Sequence, residues 1–208
     1  MQENEIDWEL DPEFVKRDML RKAGLPVEIA RTDHLLLRET VDADIPELYR
    51  IGTIPEVARY IAPMQSTLEE EIAYTKAYVR HMYAFYDFGL WTVLERSSDQ
   101  EHVIGRAGLF PSERLDGQIE TGYMIDPGCQ GIGYGKEAAE AVLKYAFDVL
   151  DLEEVHLFAE EENIASVKVA ETLLSVIPGG SKEKWVQKTS ELSHFWWQNQ
   201  ENSQPIGK

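Results

Sequence analysis

Three glycines at alternate positions, Gly131, Gly133 and Gly135, followed at once by Lys136, form the stretch of this chain best suited to chemistry. A strand-like run ends just upstream at Ile125, Asp126-Pro127-Gly128 makes a turn, and a helical pattern opens near Tyr134. That arrangement favours a phosphate or pyrophosphate. The first N–H groups of a helix have no intrahelical partner, and the helix dipole places partial positive charge at the same end. Glycines let the backbone approach an anion unobstructed. Two other phosphate motifs fail: a dinucleotide fingerprint starting at Gly131 and Gly133 would need glycine where Lys136 stands, and a P-loop would need Ser or Thr where Glu137 stands. The bland alternative is a glycine-rich turn that binds nothing.

Other reactive residue types are sparse. The single cysteine, Cys129, has neither an internal disulfide partner nor a cysteine cluster to share a metal. The histidines (His34, His81, His102, His156, His194) lie far apart in sequence without ligand spacing, so no metal site is expected. Acidic residues number 38 against 20 basic ones, a net charge of −18. Such a surface repels nucleic acid and attracts cationic ligands. No apolar run reaches the roughly 18 residues that a membrane helix needs, and the acidic start Met1-Gln2-Glu3-Asn4-Glu5 does not resemble a signal peptide. A soluble cytoplasmic protein without a membrane partner is expected.

The elements around the loop read as one mixed α/β domain over residues 29–208, preceded by a helical extension over 1–28. In the extension, Asp11-Pro12 opens a short helix with Phe14, Val15, Met19 and Leu20 as its apolar face, closed by Gly24. His34 to Arg38 reads as a strand, Asp42 to Ile51 and Pro55 to Tyr60 as helices. Ser66 and Glu69 have capping-box spacing ahead of a helix that ends at Gly89. Leu90–Glu95, His102–Phe110 and Gln118–Ile125 form an antiparallel meander, its first turn at Ser97-Ser98-Asp99-Gln100. A helix with Ala139, Leu143 and Ala146 on its face, a covered strand from Glu154 to Ala159, and a helix carrying Val167, Ala170 and Leu174 follow. Lys182–Lys188 and Ser193–Trp197 make a last hairpin, and the polar tail from Gln198 frays.

On these residues the chain resembles the GNAT superfamily of N-acetyltransferases. The family's acetyl-CoA loop, [Q/R]-x-x-G-x-[G/A], is matched by Gln130-Gly131-Ile132-Gly133-Tyr134-Gly135. Glu120-x-Gly122-Tyr123 precedes the loop, and Asn163-Ile164-Ala165-Ser166-Val167-Lys168-Val169-Ala170-Glu171-Thr172-Leu173 follows the next strand. With Leu35-x-Leu37-Arg38 and Pro55-Glu56-Val57, that last pattern is similar to the RimJ/RimL branch, which acetylates ribosomal-protein N-termini. Leu173-Leu174-Ser175-Val176 departs from the family's usual L-G-F ending.

The resemblance implies a mixed, mostly antiparallel sheet of about seven strands with helices on both faces, and acetyl-CoA as cosubstrate. Backbone groups of Tyr123, Met124 and Ile125 would pair with the pantetheine arm like an added strand. Gln130, Gly131, Ile132, Gly133, Tyr134, Gly135 and Lys136 would cradle the pyrophosphate, and Asn163 would hydrogen-bond the pantetheine. Glu120 is the candidate base for the acceptor ammonium, against the alternative of an exposed or salt-bridged glutamate. Ser166 is the candidate proton donor to the departing thiolate, against simple hydrogen bonding at the start of its helix. Trp91, Tyr83, Trp196 and Trp197 either line the acceptor site or pack the core. The expected partners are acetyl-CoA and a cationic primary amine, with a homodimer left open. The competing reading is a GNAT fold that binds acetyl-CoA as a sensor or interaction module without catalysis.

Overall fold

The computed structural model describes residues 12–96, 101–187 and 190–200. Asp11, the turn at Ser97–Gln100 and Lys188 therefore lie outside the described residues. Helix α1 spans Pro12–Lys22, and strands β1 (Glu28–Arg31) and β2 (Leu35–Arg38) make the first hairpin. A 3-10 turn at Asp42–Asp44 leads into α2 (Ile45–Gly52) and the short α3 (Pro55–Ala58). Helix α4 (Leu68–Tyr86) precedes the meander β3 (Leu90–Arg96), β4 (Glu101–Pro111) and β5 (Ile119–Ile125). Next come α5 (Tyr134–Asp148), β6 (Glu154–Glu160), α6 (Ile164–Val176), β7 (Gly180–Gln187) and β8 (Ser190–Gln198).

All eight strands join one sheet in the order β1-β2-β3-β4-β5-β6-β8-β7. Every neighbouring pair is antiparallel except β5 and β6. The parallel pair requires a crossover, which α5 supplies. Alternation along the strands divides residues between two faces. Trp91, Val93, Ala107, Leu109, Val155, Leu157, Phe195 and Trp197 are buried in one large cluster with the Ala138–Ala146 face of α5 and with Ala170 and Leu173 of α6. On the other face, Met124 packs with Leu48, Ile51 and Val57 of the α2–α3 segment.

Three local expectations are corrected. His34–Arg38 is not the first strand: Glu28–Arg31 precedes it and pairs with β2, and the sheet has eight strands. The cap of α4 is Thr67, not Ser66: its side chain accepts from Glu70 N, and Glu70 returns a bond to Thr67 N. Helix α1 docks only partly through its apolar face: Leu20 packs against the core, but Met19 is 65% exposed while Arg17 is 7% exposed. Arg17 Nε donates to Asp87 Oδ2 at 2.9 Å, and Arg21 Nη2 lies 2.6 Å from Glu39 Oε1. Asp87 also ends α4 with φ 58.

Asp87 also holds Arg21 Nη1 at 2.8 Å, so loss of Arg17 removes a charged hydrogen bond without stranding the carboxylate. Arg17→Met, which keeps the aliphatic stem, is therefore expected to lower unfolding free energy by about 1.5–3 kcal/mol in a urea titration.

Candidate active site

Strand β5 and strand β6 share one register position, Glu120 opposite His156. Beyond it the β6-facing edge of β5 has no strand partner among the described residues, so backbone groups of Gly122 to Ile125 border a wedge. Buried backbone N–H and C=O groups are seldom left unpaired, and an extended ligand can complete such an edge as an added strand.

At the wide end of the wedge the chain turns through a 3-10 turn at Pro127–Cys129, where Asp126 Oδ1 accepts from Gly128 N at 2.8 Å. The Gln130 side chain folds back, and its Nε2 donates to Ile125 O at 2.9 Å. That bond fixes the loop to the strand, so the Gln130 side chain is committed to the protein. Gly131 and Gly133 have φ +80 and +103, and a Cβ at either would meet nothing within 4 Å. Glycine is needed there for conformation rather than space. At Gly135 the reason is contact: a Cβ would stand 3.1 Å from Tyr123 Cε2. The first turn of α5 thus packs on the side chain of β5 that borders the wedge.

Gly133 is the N-cap of α5 and no side chain caps it. The first bond into the helix is Glu137 N to Gly133 O at 3.0 Å, which leaves the N–H groups of Tyr134, Gly135 and Lys136 without an intrahelical acceptor. Ile132 and Gly133 are exposed. Lys136 Nζ sits 3.5 Å from Glu140 Oε2. The Tyr134 ring is turned away from the loop, and its hydroxyl donates to Glu95 Oε1 at 2.7 Å. That bond to a carboxylate pushes the Tyr134 pKa up to about 12. An open, uncapped, glycine-lined helix start fits an anionic group such as a diphosphate.

On the α5–α6 side, Tyr123 and Ser166 meet across the wedge, with the Tyr123 hydroxyl 3.4 Å from Ser166 Oγ. Burial pushes the Tyr123 pKa up. Asn163 caps α6, its Oδ1 accepting from Ser166 N at 3.2 Å. Among the described residues the Asn163 side-chain NH2 donates no hydrogen bond.

At the narrow end lies Glu120, 4% exposed. Ser112 Oγ donates to its Oε2 at 2.9 Å, and Arg114 Nη1 donates to its Oε1 at 3.0 Å. Burial pushes the Glu120 pKa up, opposed by Arg114 and Ser112. The carboxylate is therefore both buried and salt-bridged, to an arginine that is 35% exposed. Next to it, histidines expected to lie apart come together: His156 Nδ1 and His194 Nε2 are 3.0 Å apart. Glu154 Oε1 lies 2.8 Å from His156 Nε2, and Glu183 Oε1 lies 3.0 Å from His194 Nδ1. Pairing of β6 with β8 joins them, a link that no sequence spacing signals. Of the candidate aromatics, Trp91, Tyr83 and Trp197 are core, while Trp196 is half-buried beside His194. Sequence reasoning did not single out Ser112, Arg114 or the histidine pair.

A parted parallel strand pair leading to an uncapped glycine loop is an arrangement able to take an extended ligand with an anionic end. Residues 34–173 match the family described as acetyltransferase (GNAT) domain. The chain belongs to that family of acetyl-CoA-dependent N-acetyltransferases. It is 27% identical over 166 residues to YnaD, an uncharacterized N-acetyltransferase of Bacillus subtilis, covering 80% of this chain and 90% of that one. A GNAT-family acetyltransferase structure from Bordetella pertussis superposes with TM-score 0.66 at 18% identity, covering 82% and 99% of the two chains. Spermidine N-acetyltransferase from Vibrio cholerae, solved with CoA and spermine, gives 0.65 at 19%, covering 81% and 97%. These structural likenesses establish the fold.

Gly133→Asp tests the loop directly. Asp tolerates left-handed backbone and caps helices well, but its charge opposes an anion. Thermal stability is expected to hold, while calorimetric Kd for coenzyme A rises at least about tenfold.

Proposed function

We propose that this protein transfers the acetyl group of acetyl-CoA directly to a primary amine that is cationic in solution, on a protein N-terminus or a small molecule, in the manner of the RimJ/RimL branch. The observation that carries the proposal is the sequence of groups along one wedge: uncapped amides at its mouth, an unpaired strand edge along its side, and a buried carboxylate at its vertex.

Acetyl-CoA, when bound, supplies an activated acyl group. The protein does the rest. Amides from Gly131 to Lys136 hold the diphosphate, the edges of Tyr123 to Ile125 align the pantetheine, and Asn163 donates to it. Glu120 takes the proton of the acceptor ammonium, directly or through water, because an ammonium has no lone pair with which to attack. Burial raises the basicity of Glu120, which suits proton removal, and Arg114 opposes that rise. Ser166 Oγ, oriented by Tyr123, holds the proton offered to the departing sulfur. The net charge of −18 favours approach of an ammonium.

The engagement of Glu120 by Arg114 and Ser112 gives substance to a second reading, a module that binds acetyl-CoA without catalysis. Kinetics separates the two. Under the catalytic reading, Glu120→Gln lowers kcat about 100-fold or more and Ser166→Ala lowers it less. The acidic limb of kcat/KM, governed by a carboxyl raised by burial, falls above the ordinary glutamate range near ~4.3 and is absent in Glu120→Gln. An amine panel that releases no CoA, with acetyl-CoA bound, would favour the module. Acetyl-CoA at about 100 times its Kd stabilises the fold by about 2.7 kcal/mol under either reading; a thermal shift of zero contradicts both.

A further inference from the structure

Arg106 lies on β4 opposite Met124 of β5. The residue as a whole is half-buried, and its guanidinium is the part that lies deep in the molecule. The contact it makes is Nη2 to Met64 Sδ at 3.9 Å. Among the described residues no carboxylate comes within 4.0 Å of it. The other partly or fully buried arginines on this side of the chain differ: Arg17, Arg21, Arg38 and Arg114 each hold an acid.

The ionisable groups whose charge acts on Arg106 include Glu71, Tyr74, Tyr78 and Tyr83, all on α4, and three of them have hydrogen-bond partners elsewhere. Glu71 accepts from Thr75 Oγ1 at 2.9 Å and from Gln65 N at 3.0 Å. The Tyr78 hydroxyl accepts from Leu90 N at 3.1 Å, and the Tyr83 hydroxyl donates to Leu90 O at 2.6 Å. Tyr74 is 54% exposed. Burial lowers the guanidinium pKa below its usual value. A chain with 38 acids does not leave an arginine unpaired for lack of carboxylates. Burying an unpaired charge costs several kcal/mol, and five donors in a planar fork match a carboxylate in particular.

Position says whose carboxylate it is. On β5, residues 120, 122 and 124 point to one face, and Arg106 shares that face opposite Met124. Glu120 and Arg106 therefore flank Gly122 at the β5 segment that borders the wedge. The diphosphate site lies past the end of β5, around Gly131 to Lys136, so the cofactor's own anions belong elsewhere.

We infer that Arg106 is an acceptor-binding residue, and that the acceptor is a primary amine bearing a carboxylate: an amino acid or a short peptide. The ammonium lies toward Glu120 and the carboxylate toward Arg106. The inference rests on the acetyl-transfer reading for the identity of the reaction, and it adds the anionic half of the substrate.

The test pairs each amino acid with its decarboxylated amine and follows CoA release by the full chain. The carboxylate-bearing member is expected to have at least about 100-fold higher kcat/KM, because a guanidinium left unpaired penalises the other. In Arg106→Gln that preference disappears through KM while coenzyme A affinity is unchanged, and Arg106→Lys restores part of it. Equal use of both members by the unaltered protein, or equal loss with both members in Arg106→Gln, overturns the inference. Calorimetry with an N-acetyl amino acid in the presence of coenzyme A works without turnover. Binding that Arg106→Gln abolishes supports the carboxylate site even if no amine is acetylated, an outcome that removes only the transferase reading. Binding indifferent to Arg106 overturns the site.

Discussion

Two parallel strands that touch at Glu120 and His156 and then part impose the main demand on this protein. Among the described residues, parting leaves that edge of β5 without a strand partner in the middle of a sheet, where sheets normally supply one. The fold accepts this because the crossover between the strands is a helix whose own N-terminus is uncapped and opens at the same place. Two sets of unsatisfied donors thus face one crevice. The contact of Gly135 with the Tyr123 ring holds the helix start against the strand, and the Gln130 bond to Ile125 O holds the loop. Neither side chain needs to reach a ligand for the crevice to keep its shape.

The charge balance explains why backbone carries the anion. The chain is strongly acidic, and Lys136, the cation in the loop, lies near Glu140. Recognition of a diphosphate by fixed N–H dipoles works in such a field, because those dipoles are oriented and cannot be titrated or swung away. The opposite sheet face has another character. There Glu120, Arg114, His156 and His194 are side chains with specific partners, and Arg106 lies against Met64 Sδ. In the proposed reading one face would bind by backbone and the other would discriminate by side chain, with the wedge connecting them.

What the sequence disclosed follows the same division. Glycines at alternate positions, the meander and the strand–helix–strand crossover were legible because each is a local pattern: backbone conformation, period and chain order are written in neighbouring residues. Strand β1 was missed because four residues with charged ends, Glu28 to Arg31, have little alternation of their own and depend on β2. The docking of α1 was misread because its apolar residues were visible in sequence, whereas the acids that seize Arg17 and Arg21 come from the end of α4 and from Glu39. The pairing of His156 with His194 needed the placement of β8 between β6 and β7, a long-range topology. Arg106 looked like an ordinary strand residue until its surroundings were known. Glu120, Ser166 and Asn163 were singled out only because a family motif points to them; the geometry gives each a set of contacts, while their roles belong to the proposed function.

The claim on which the account stands is that the amides at the start of α5 grip a diphosphate. Amide chemical shifts measured by NMR during titration with coenzyme A read those groups one by one. The largest changes are expected at Gly131, Gly133, Tyr134, Gly135 and Lys136, with smaller ones along Tyr123 to Ile125. Saturable binding that leaves those loop amides unmoved would contradict the account.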